Sequence, residues 1–268
     1  VLLENNQEVD MSNAVNFWDI GPHSPLPVEK TFHSFVREFG GCIISDVLPG
    51  NPSFENADYS FMDNKIIGEL KEIETEFLDQ EGAKIKFSKI MEKLLNECPH
   101  WKPSLMGGSD YYPDWFKIEF IRLARPGITR ILKKANKQIK ETKKYFNVPN
   151  ANGVLFFIND GFTGISPFLV QALACDALTH SYSSIDCFLY MTLNRYVEIE
   201  GSNEPKLIWC PIYSNRVDDS FVDFIDNLGR SWFDFLEKKI GGFTSRYEGS
   251  DRSVLLNSKA IIIPPHQS

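Results

Sequence analysis

Apolar residues recur along this chain with two periods, and the alternation of those periods predicts its elements. Phe32, Phe35, Val36 and Phe39 stand three and four residues apart, the spacing of one helical face. Pro27 precedes that segment and Gly40-Gly41 closes it, so a helix is predicted over about 28–39. CIIS at 42–45 is a short strand candidate, and LPGNPSFEN reads as a loop. Two strands are expected next, ADYSFM and KIIGELKEI, and then a polar helix around 81–98. Pro99, Pro103 and Gly107-Gly108 mark a loop. From about 113 to 146 the pattern is helical, with an interruption expected at Pro126-Gly127.

The second half begins with VLFFIND at 154–160, an unbroken apolar run of strand length that predicts a buried strand. Ser166 then offers an N-cap and Pro167 a first helical position for a helix over 166–180. IDCFLYMTL (185–193) and KLIWCPIY (206–213) are further strands, and 221–242 reads as a helix or helix pair. Helices and strands interleaved in this order predict an α/β fold with a mixed sheet flanked by helices. Residues 1–27, polar and carrying Pro22, Pro25 and Pro27, read as an N-terminal arm. Residues 28–268 read as a single domain with a helical insertion at about 81–146.

Composition narrows the function classes. Hydrophobic residues make up 43% and charged residues 24%, ordinary for a globular protein. The net charge of −8 excludes a general polycation, so contact with nucleic acid has to come from a local patch. Cys42, Cys98, Cys175, Cys187 and Cys210 are scattered, with no metal-binding spacing, and a reducing cytoplasm is the expected compartment. No apolar run is long enough for a membrane helix, and no membrane partner is expected. The histidines pair with no second ligand at metal spacing, and neither a serine elbow nor a phosphate-cradling glycine loop is present in the sequence.

One hairpin carries candidate chemistry. If Asp63-Asn64 forms a two-residue turn, for which both residue types are suited, Phe61 pairs with Ile66 and Asp58 falls opposite Glu69. Period 2 puts Lys71 on the same face as Glu69, while Ala57, Tyr59, Phe61, Ile66, Gly68 and Leu70 fill the other. Opposed residues have Cβ atoms about 4.5–5.5 Å apart, so two carboxylates repel there unless a proton or cation intervenes. A magnesium ion, with oxygen ligands at about 2.0–2.1 Å, suits that gap. The same charges also fit a solvated edge strand, and a one-residue slip of register would part them.

Asp58 before a hairpin and Glu69-Leu70-Lys71 after it resemble the PD-(D/E)xK nuclease superfamily, of restriction-endonuclease-like fold. Ala57 stands where the family name has proline. The surrounding order is similar too: a first helix, three strands, a helical crossover and a further strand. The resemblance implies a metal-dependent nuclease that hydrolyses phosphodiester bonds, with DNA the expected substrate and Mg²⁺ or Mn²⁺ the cofactor. Asp58, Glu69 and Lys71 would be catalytic, and Asp58, Glu69 and the backbone carbonyl of Leu70 would hold the metal. Family members often add an acid from the first helix, here Glu38 or Glu29, with Glu38 preferred for its place near the helix end. A non-catalytic module that keeps the fold and binds nucleic acid or protein is the alternative. A homo-oligomer or protein partner is left open.

The stretch 122–146 holds nine of the 28 basic residues. Arg130, Lys133, Lys134, Lys137, Lys140 and Lys144 share one broad helical side, which reads as a track for a phosphate backbone. A solvated amphipathic face gives the same pattern. Asn159, Asp160 and Gly161, at a strand end, and Ser183 and Ser184 are weaker candidates, each also a plain turn signal. Tyr59, Tyr111 and Tyr112 are candidates for lying near a bound strand.

Overall fold

The computed structural model describes residues 23–50, 52–73, 80–101, 112–160, 165–199, 202, 204–249, 255–256 and 259–261. The predicted arm up to residue 22, the loop at Pro103 and Gly107-Gly108, Tyr111 and Gly161 lie outside them. In chain order the elements are α1 (Val28–Phe39), β1 (Cys42–Ile43), α2 (Ile44–Val47), β2 (Tyr59–Phe61), β3 (Ile66–Ile73), α3 (Glu81–Glu97), α4 (Asp114–Tyr145) and β4 (Asn152–Asn159). There follow α5 (Pro167–His180), β5 (Cys187–Met191), β6 (Tyr196–Glu198), β7 (Trp209–Tyr213), α6 (Asp219–Ile240) and β8 (Lys259–Ile261).

A six-stranded mixed sheet forms the middle layer, in the order β1-β2-β3-β4-β5-β7. The first three strands form an antiparallel meander, β3, β4 and β5 are parallel, and β7 returns antiparallel at the edge. Pro211 sits in that edge strand, where a missing N–H is tolerated. β6 and β8 form a separate two-stranded sheet.

Alternation along β3 and β4 sorts side chains to two faces. Ile67, Leu155 and Phe157 pack with Ile128, Leu132 and Ala135 of α4 and Val170 and Ala174 of α5. Ile66, Leu70 and Phe156 pack with Phe32, Phe35 and Val36 of α1 and Ile225, Trp232 and Leu236 of α6. Each fully buried Val, Leu, Ile or Phe among them contributes about 1.5–3 kcal/mol. Gly68 is required where it stands: a Cβ there would lie 2.6 Å from the Phe156 ring.

Two helices depart from expectation. α4 runs unbroken through Pro126, because the proline is on the solvent side while Ala124 and Ile128 beside it are buried. Tertiary packing of that face outweighs the lost N–H bond. The segment 221–242 is a single helix, capped by the Asp218 carboxylate, which accepts the Phe221 N–H at 2.9 Å. The strand predicted at 42–45 is only two residues long, and the chain then turns into α2.

Candidate active site

The hairpin between β2 and β3 reverses at Asp63 and Asn64, with φ of 53° and 66°, and the Lys65 N–H donates to the Met62 carbonyl at 3.2 Å. Tyr59 pairs with Gly68, Ser60 with Ile67 and Phe61 with Ile66, the register a two-residue turn dictates. The ladder departs from that register at Asp58. Its N–H donates to the Gly68 carbonyl at 3.1 Å, and its Oδ2 accepts the Leu70 N–H at 2.7 Å. A carboxylate therefore stands in for backbone where β2 leaves the sheet. The departure also turns Ala57 away from the face expected for it. Ala57 packs on the α4 side, its N–H donating to Thr142 Oγ1 at 2.8 Å.

Glu69 projects from the centre of β3 towards α4 and is 0% exposed. Its Oε1 accepts a hydrogen bond from Lys71 Nζ, on the same face of β3. Its Oε2 is buried without a hydrogen-bond donor among the described residues. Asp58 and Glu69 lie within hydrogen-bonding reach of each other. Burial and, after it, the Asp58 charge push the Glu69 carboxyl up to about 8, with Lys71 offsetting part of the rise. Burial also raises Asp58, against the Leu70 N–H and Lys71, which lower it. Two acids so placed share a proton near neutrality, with Glu69 the one that keeps it.

Residues from α1 complete the surroundings. Glu29, in its first turn, adds negative charge that raises both Asp58 and the phenol of Tyr59. His33 lies one turn on, 3.8 Å from Glu29, with its ring edge against Tyr59 at 5.6 Å between centroids. Tyr59 is fully buried, and its hydroxyl has no hydrogen-bond partner among the described residues. It lies inside the core and has no face for a bound base. Glu38 is not brought to the pair. It stands nine residues beyond Glu29, about 14 Å along the helix, and holds Lys238 at 2.6 Å on the surface. Of the two first-helix acids, only Glu29 is near enough for its charge to be felt at Asp58, although its side chain is exposed.

Among the described residues no three His, Cys, Asp or Glu side chains converge in the manner of a complete cation cage. The donor set at the pair is two carboxylates with one oxygen unsatisfied. That suits Mg²⁺, which is commonly held by one or two carboxylates and keeps several waters or phosphate oxygens.

The other candidates fall into two groups. Arg130, Lys133, Lys134, Lys137, Lys140 and Lys144 are all exposed and line one open groove of about 780 Å³. Tyr182, before β5, lines it too, with part of its ring against the core. Asp160 and Asn159 are structural: Asp160 is buried and accepts the Asn194 N–H at 3.2 Å and Nδ2 at 2.8 Å, and Asn159 donates to Tyr190. Ser184 is held through its backbone, N–H to Asn136 Oδ1 and carbonyl to Lys143 Nζ, while Ser183 is exposed. Tyr112 stacks on Phe116, in the small core shared by α3 and α4.

Two networks escaped sequence reasoning. Lys143, buried among basic neighbours, joins Asp186 at 3.4 Å, and Arg216 holds the other Asp186 oxygen at 2.8 Å. Asn194 accepts the Leu26 N–H at 2.7 Å and donates to the Leu26 carbonyl at 2.9 Å, so it fixes the approach to α1 and Glu29. Nothing in residue spacing signals either. The Glu29–His33 pair, by contrast, is an i,i+4 spacing that was visible in the sequence.

No helix among the described residues is long and apolar enough to cross a membrane. Compared with protein-family models, curated proteins and solved structures, the chain matches none.

Proposed function

We propose that this chain is a divalent-metal-dependent phosphodiesterase of the PD-(D/E)xK type that hydrolyses nucleic acid, with DNA the expected substrate. The observation that carries the reading is the buried acid pair, in which Glu69 is forced to hold a proton and keeps one oxygen unsatisfied. Such a pair is costly in an empty protein and is relieved by a cation. The sheet supports the reading: α1, an antiparallel meander, a helical crossover and a β4 strand parallel to β3 follow the order expected of a restriction-endonuclease-like core.

Asp58 and Glu69, with the Leu70 carbonyl, would hold Mg²⁺ or Mn²⁺. When bound, the ion supplies a water of lowered pKa and neutralises charge on the scissile phosphate. Lys71, partly exposed and bonded to Glu69, orients the attacking water and stabilises charge developing on phosphate oxygens. Glu29 adds negative charge on the α1 side, where it would favour a cation at the pair.

A non-catalytic, nucleic-acid-binding module is the second reading. One observation favours it: Lys71 already partners Glu69 and so offsets part of the pair's charge without a metal. Plasmid and oligonucleotide substrates incubated with Mg²⁺ or Mn²⁺ separate the two. The enzyme reading expects cleavage that falls by about a hundredfold or more in both Lys71→Ala and Glu69→Ala. Binding by the wild type with no cleavage under either ion favours the module.

A further inference from the structure

We propose that the groove on the outer side of α4 is the track of a single nucleic-acid strand, its phosphates on the row of cations and one base on Tyr182. The identity of the polyanion rests on the phosphodiesterase reading; the binding does not.

The cations recur about once per helical turn from Arg130 to Lys144, a span of about 21 Å at 1.5 Å per residue. Only Lys137 has a carboxylate partner among the described residues, Glu55 at 3.6 Å and Glu141 at 4.0 Å. Five positive groups without counter-charge, on a chain of net charge −8, form a local field that attracts a polyanion. Every cation lining the groove comes from α4; the remaining walls are Glu55, Asn136, Glu141 and Tyr182. One row of cations follows one backbone, whereas a duplex presents two. The Tyr182 ring is backed by core residues, which holds it still as a stacking platform. A bilayer would need apolar side chains flanking the cations, and this groove is lined by charge instead.

The groove adjoins the acid pair. Gln138 Nε2 donates to the Asn56 carbonyl at 3.0 Å and Thr142 Oγ1 accepts the Ala57 N–H, so α4 is pinned to the segment leading into Asp58. Glu55, on the groove wall, precedes Asp58 by three residues, at most about 11 Å of chain. The groove wall at Glu55 is thus joined to Asp58 by a short stretch of chain, while Glu69 lies on the sheet side of α4.

The test is fluorescence anisotropy with labelled oligonucleotides of about twelve nucleotides, in chelator, over a range of salt. The arms are single-stranded DNA, single-stranded RNA and duplex DNA, with anionic vesicles in a parallel sedimentation assay. Single strands are expected to bind with affinity falling linearly in log salt. The triple variant Lys133→Ala, Lys137→Ala, Lys140→Ala should lower that slope by about 2, since each phosphate contact to a single strand contributes about 0.7. Tyr182→Leu should weaken binding by about tenfold at unchanged slope, and Tyr182→Phe should restore it. Duplex binding as tight as single strands, vesicle binding in place of oligonucleotide binding, or an unchanged slope in the triple variant would overturn the track. Because these measurements use no metal, strand binding here together with no cleavage in the Mg²⁺ and Mn²⁺ assay refutes the phosphodiesterase and keeps the track. Cleavage that survives the triple variant, with its slope unchanged, does the reverse.

Discussion

Replacing Glu69 by Gln tests the acid pair without asking the protein to cut anything. The carboxyl moves from an ordinary value of 4.5 to about 8 on folding. The native state thus holds this proton more tightly than the unfolded chain does. The associated stability is fully present below about pH 4.5 and is lost as pH rises through about 8. At 1.36 kcal/mol for each tenfold change in proton affinity, the loss is on the order of 5 kcal/mol, and Glu69 is fully buried, so little is screened by solvent. Gln has the same shape and no proton to lose. Urea unfolding of both proteins in chelator, at several pH values from about 5 to 8.5, should show the variant gaining on the wild type as pH rises, by several kcal/mol at the top. Taking the difference between the two proteins removes the titration of Asp160 and other distant groups. Saturating Mg²⁺ at about 100 times its Kd should then restore about 2.7 kcal/mol to the wild type at high pH and far less to the variant. Parallel pH profiles for the two proteins would refute the buried pair as described.

Three further outcomes follow from named contacts. Glu29→Gln should weaken divalent-ion affinity by about tenfold, read by calorimetric titration, while Glu38→Gln leaves it unchanged because Glu38 is occupied by Lys238. Gly153→Ala should cost more than about 4 kcal/mol in thermal or urea unfolding, or abolish soluble expression, since its Cβ would lie 1.9 Å from the Ser184 carbonyl oxygen. Asn194→Ala should cost about 2–4 kcal/mol, because it strips hydrogen bonds from buried Asp160 and from Leu26. Hydrogen exchange in that variant should speed up first at the start of α1.

Local pattern made the hairpin legible. A two-residue turn of Asp and Asn admits only one pairing, and the structure has that pairing through Tyr59 and Gly68. The next residue was not legible, because the Asp58 carboxylate takes a backbone's place and bends the strand out of register. Helix edges at Val28, Phe39 and Pro167 followed from proline, glycine and serine at their ends. The continuity of α4 did not, since it depends on which side of the helix Pro126 meets, and that is decided by the sheet beneath. The choice between Glu29 and Glu38 had the same character: both are acids on one helix, and only the packing of α1 on Tyr59 selects the first. The buried fate of Lys143, one of nine similar charges, was hidden for the same reason, as its partner Asp186 lies 43 residues further on.

The bond between Asn194 and Leu26 spans 168 positions of the chain. A ribosome has therefore added at least 168 residues after Leu26 before the first helix can be secured at its leading end. Until then Asp58 and Glu69 face each other without a settled third acid, and newly made chains are exposed to proteases and to aggregation. Contacts of such long range slow folding in general. The surroundings of Asp58 and Glu69 should accordingly be among the last parts to mature, since they wait on synthesis and folding as far as Asn194.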